Sequence, residues 1–147
     1  MSLWDWVLAV YERPGVPETC LRLQDEFGLN TSFLLWAWWA KPAPHQLVQA
    51  VEVTKSWDSM ALMPLRAVRR ALKAPQPLVA DSAREALREE VKGAELHAER
   101  VLVDTLERLG GAPGQTVTGL AALTAASRAF GDPPPVDALA SLAAALE

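Results

Sequence analysis

Ten consecutive residues, Thr31 to Ala40, read Thr-Ser-Phe-Leu-Leu-Trp-Ala-Trp-Trp-Ala. Spaced at about 100° per residue, Phe33, Leu34, Leu35, Trp36, Trp38 and Trp39 point all the way round and leave no polar side. Such a helix must be enclosed by other elements. It would be only about 15 Å long, against a bilayer core of ~30 Å, so it cannot span a membrane. A chain of 147 residues, half of them apolar, is long enough to supply the enclosure as one domain.

The remaining segments read as helices laid against this one. Ser2 with Asp5 has capping-box spacing, with Asp for the usual Glu, and predicts a helix from Leu3 to about Glu12, ended by Pro14-Gly15. Pro17, Cys20, Leu21, Leu23 and Phe27 give a second, stopped at Gly28. Asn30 or Thr31 caps the central helix and Lys41-Pro-Ala-Pro closes it. From Pro44 a fourth helix runs through Leu47, Val48, Val51 and Thr54 toward Lys73, kinked or restarted at Pro64. A wheel from Trp57 to Lys73 puts Trp57, Ala61, Pro64, Leu65, Val68 and Leu72 on an apolar side and Arg66, Arg69, Arg70 and Lys73 on the opposite, basic side.

Asp81 to Leu109 is the longest periodic stretch, ~45 Å if unbroken, with Gly93 as its weak point. Leu96 and Val103 sit one heptad apart, off its main stripe. They need a cover, either the C-terminal segments or a second copy in a homodimer. After Gly110-Gly-Ala-Pro-Gly come two alanine-rich segments, 117–130 and 136–146, expected to be helical and to pack on the long helix. No stretch alternates with period two, so the expected fold is all-α: a single compact domain of about seven or eight helices around the Trp-rich one.

The sharpest chemical feature is basic. Between Ser59 and Ala80 there are four positive charges and no acid. Arg66, Arg69 and Arg70, with Lys73 beside them, could grip a phosphate or carboxylate through forked hydrogen bonds. The competing reading is internal pairing, because Asp81 to Glu107 carries eight acids against four bases and a hairpin at Ala74-Pro-Gln-Pro would bring the two surfaces together. Nucleic acid is not expected on a chain of net charge −4 without a groove-reading motif. The six tryptophans, Trp4, Trp6, Trp36, Trp38, Trp39 and Trp57, could line an aromatic pocket or simply be core, with Arg66 or Arg70 stacked on a tryptophan at the rim.

Catalytic chemistry has little to stand on. His45 and His97 lack a second ligand at helical metal-site spacing, so neither a metal nor another cofactor is expected. Cys20 lies on an apolar helix side, where a thiol is an inert small hydrophobe, and Asp25 is placed to pair with an arginine of the basic helix. The first ten residues lack the basic start and cleavage site of a signal peptide, which points to the cytoplasm. The expected function is a non-catalytic binding or adaptor protein that offers Arg66, Arg69, Arg70 and Lys73 to an acidic protein segment or a phosphate-bearing ligand. The alternative is a small-molecule sensor or enzyme with a pocket at Trp36, Trp39 and Trp57; membrane attachment is a third and less favoured reading.

Several motifs also resemble a known family. They are Leu3-Trp4, Tyr11, Cys20-Leu21 with Leu23-Gln24-Asp25, Gly28, Asn30, Leu34-Leu35 with Trp38, Trp57, and Pro64-Leu65-Arg66 with Arg69-Arg70 and Lys73. Over residues 3–109 the chain is similar to the small proteobacterial proteins grouped as domain of unknown function 2390. The resemblance implies a bacterial, cytoplasmic, helical protein and no particular activity.

Overall fold

Local chemistry sets the ends of the first three helices. In α1 (Leu3–Tyr11) the Ser2 hydroxyl accepts the Asp5 N–H at 3.1 Å. Helix α2 (Val16–Phe27) stops at Gly28, whose φ of +65° is the left-handed conformation glycine adopts without cost. Asn30 caps α3 (Thr31–Ala40) by accepting the Phe33 N–H at 2.9 Å, and the chain leaves through Lys41 just before Pro42. The computed structural model describes residues 1–111 and 117–147, in which no strand occurs. Residues 112–116, part of the glycine-rich break, lie outside the described residues.

The central position of α3 follows from its composition. Ser32 through Ala37 are all buried, and α1, α2, α4, α6 and α7 pack around it. Phe33 meets Trp36 and Phe130 with ring centroids 6.0 and 5.2 Å apart. Trp38 lies against the backbone of Gly119, where a Cβ would overlap its indole.

Helix α4 (Pro44–Trp57) passes through a π-helical turn, Asp58–Leu62, straight into α5 (Met63–Ala71). Pro64 explains the turn: it has no N–H to continue the ladder, and the wider turn, in which Met63 N–H reaches the Asp58 carbonyl, takes up the misfit. The extra residue rotates everything after it by about 100° relative to a regular helix. The wheel from Trp57 to Lys73 therefore breaks at the turn. Pro64 and Val68 end up exposed, while Arg66 and Arg69 turn inward with Leu65 and Leu72.

Helix α6 (Asp81–Leu109), about 43 Å long, folds back along α5 in its first half and enters the core in its second. Val103, expected at an interface, is instead fully buried in the chain's own core with Leu102 and Leu106, because α1, α3 and α4 all pack on this half. The last two helices, α7 (Gly119–Phe130) and α8 (Val136–Leu146), do not take the long helix as their main support. They pack on α3, α4, α2 and each other, filling the other side of the central helix with Leu123, Phe130, Leu139 and Leu142.

Candidate binding surfaces on the α5–α6 hairpin and the α1–α6 cleft

Glu95 organises the basic residues. Its side chain is only 11 % exposed and takes Arg69 Nε at 2.5 Å, with Arg69 Nη2 at 3.4 Å and Arg66 Nε at 3.6 Å. Arg88 adds a bond from its Nε to the Arg69 carbonyl. Internal pairing thus occupies Arg66 and Arg69. Arg70 reaches Asp25 of α2 at 3.9 Å, with both side chains at least half exposed, and Lys73 is exposed with no ion pair among the described residues. The basic face of the sequence is divided: two arginines clamp the hairpin, and Arg70 and Lys73 stay available.

Two further acids border the clamp. Burial pushes the Glu99 carboxyl above its ordinary value, helped by Glu95 and opposed by Arg66 and Arg69. Asp58, in the π turn, is likewise raised by burial, against the pull of a 3.0 Å bond from Asn30 Nδ2 and of Arg66.

The outer side of the hairpin is apolar. No residue of α5 is buried among the described residues, and Met60, Met63 and Val68 are 70, 57 and 45 % exposed. On α5, Met63, Pro64, Ala67, Val68 and Ala71 cover the outward half, bordered on one flank by Arg70 and Lys73. Leu78 and Val79 in the turn and Leu87 on α6 are exposed as well.

The three tryptophans expected to share a pocket do not. Trp36 is sealed in the core with its indole N–H unpartnered, Trp39 is exposed, and Trp57 donates Nε1–H to the Ala98 carbonyl at 2.8 Å beside a recess of about 180 Å³. Nor does Arg66 or Arg70 stack on an indole; that role falls to Arg100 over Trp4, 5.8 Å from the ring centre. Leu96, the other expected interface residue, is half exposed beside this pair. Trp4, Leu8 and Leu96 are common walls of two adjoining clefts between α1 and α6. The inner one, about 210 Å³, also meets Val7, Tyr11, Ser32 and Glu99; the outer, about 320 Å³, meets Gly93, His97 and Arg100.

A family model described as "Protein of unknown function (DUF2390)" matches residues 2–106. The chain belongs to this family. No curated protein and no solved structure matches it. The DUF2390 region takes in α1 to nearly the end of α6, so both the hairpin and the cleft lie inside it, while α7 and α8 lie beyond.

Among the described residues of this DUF2390 chain, no three His, Cys, Asp or Glu side chains gather as a metal site. Burial raises the Cys20 thiol to about 11. No described helix is long and apolar enough to cross a membrane. Sequence reasoning missed Glu95, Glu99 and Leu8 as candidate site residues, and had Trp4 only as one of six tryptophans able to line a pocket. The excess of acids after Asp81 announced a pairing partner for the arginines but not which acid, and nothing local announced that α1 and α6 are neighbours.

Proposed function

We propose that this DUF2390 protein is a non-catalytic binding protein of the bacterial cytoplasm, and that the outward face of α5 holds an acidic, amphipathic helical segment of a partner protein. The observation that carries this reading is that α5 has no fully buried residue and displays Met63, Ala67 and Val68 beside Arg70 and Lys73. An exposed apolar stripe of this kind suits a partner helix laid along it, with partner carboxylates meeting the two cations on the flank. The weak, exposed Arg70–Asp25 pair is one a partner acid can replace at little cost. The anion-binding role expected for all four basic residues narrows to these two, since Arg66 and Arg69 are held by Glu95.

Photo-cross-linking tests the reading. With benzoyl-phenylalanine at Ala67, the full chain should form adducts that map to an acidic helical segment of another protein. Adducts confined to a second copy of the hairpin would replace that partner with a homodimer, and adducts scattered over unrelated proteins would overturn the proposal.

A further inference from the structure

The α1–α6 cleft has the features of a small-ligand site: apolar walls, a few polar groups that converge, and an opening to solvent. Two observations go further. The first concerns charge. Glu95 is the carboxylate that pairs with Arg66 and Arg69, and Glu99 follows it by one turn of α6. Both arginines are committed to Glu95, and Glu99, which has no ion pair of its own among the described residues, lines the inner cleft. An acid without an ion pair among the described residues therefore lies on the wall of a largely apolar recess.

The second observation concerns Gly93. It occupies the interior of a 29-residue helix with no positive φ, where alanine would be more favourable, and a Cβ added there meets nothing within 4 Å. Packing within the chain gives no reason for a glycine. It borders the outer cleft, and what its missing side chain provides is room there.

We propose that this cleft binds an organic amine, with an aryl or alkyl body between Trp4, Leu8 and Leu96 and an ammonium group donating hydrogen bonds to the Glu99 carboxylate. Arg100 at the mouth pairs with Asp104 at 3.8 Å and lies over the Trp4 ring, and its exposure to solvent screens it, so its repulsion of a cation inside is weakened. A carboxylate ligand of the same shape would meet Glu99 as a like charge. This site is independent of the outward face of α5.

NMR titration of the ¹⁵N-labelled full chain tests the proposal with three probes of one shape: 2-phenylethylamine, 2-phenylethanol and phenylacetate. The amine should bind saturably, about tenfold or more tightly than the alcohol, with phenylacetate weakest, and the shifts should centre on α1 and the middle of α6. Glu99→Gln should abolish the preference for the amine and leave the alcohol unchanged. Gly93→Leu, which strengthens the helix and so keeps the fold, should weaken both. Equal binding of amine and phenylacetate, shifts centred elsewhere, no saturable amine binding, or an unaltered preference in Glu99→Gln would each overturn it.

Discussion

Replacing Glu95 by alanine removes the acid that ion-pairs with both Arg66 and Arg69. At 3.6 Å and an effective dielectric of about 20, the Arg66 pair amounts to about 4–5 kcal/mol of Coulomb attraction and the closer Arg69 pair to more, much of it offset by desolvation. Removing one partner of a buried pair costs about 3–5 kcal/mol, because the other is left without compensation. Here the two arginine side chains keep 19 and 25 % of their surface and regain water, so the loss belongs at the lower end, about 3 kcal/mol. With a urea slope of about 2 kcal/mol per molar, the unfolding midpoint should fall by about 1.5 M. Because no residue of α5 is fully buried and only Leu65 of it packs on the core, its amides should also lose hydrogen-exchange protection before those of α3. Asp25→Ala, which breaks only the exposed pair with Arg70, is the control and should cost no more than about 0.5 kcal/mol. A midpoint shift for Glu95→Ala no larger than that of Asp25→Ala would refute the reasoning.

An unfolded glutamate ionises near 4.5 and Glu99 is held above that, so between the two values the native chain binds more protons. Stability should then fall as pH rises from about 4.5 through the native value; Glu99→Gln should remove that decline and raise the melting temperature at pH 7, as calorimetry across pH can show. Gly119→Ala should drive a methyl into the Trp38 indole and destabilise by about 1–3 kcal/mol in urea unfolding, with a change in tryptophan fluorescence; a neutral result would place that indole elsewhere. Cys20, buried with its thiol raised to about 11, should resist iodoacetamide at pH 8 in the native chain and react readily in urea.

The fold was legible where a few neighbouring residues decide it. Ser2, Gly28, Asn30 and the prolines after Lys41 act over one turn of helix, and their caps stand where local chemistry puts them. The enclosure of Thr31–Ala40 was equally plain, since apolar side chains on every side leave no other solution. The π turn was not legible. A single added residue has no period of its own, and Pro64 hints at a disturbance without giving its size, yet it decides that Arg66 and Arg69 face inward and Val68 outward. Val103 defeated a one-stripe reading because α6 lies beside α5 for half its length and inside the core for the rest, so no single face is buried throughout. The site was harder still. Glu95 is one of eight acids in its stretch, and the cleft needs Trp4 and Leu96 together, residues more than ninety positions apart in the sequence.

The division of the basic face can be measured directly by cross-linking from Ala67 in two variants whose urea midpoints are determined in parallel. Arg70→Gln with Lys73→Gln should keep the wild-type midpoint and lose the cross-linked acidic partner, whereas Arg66→Gln should lower the midpoint. Retention of the partner by the Arg70, Lys73 variant, or its loss only where the midpoint also falls, would contradict the assignment of α5 as the binding element.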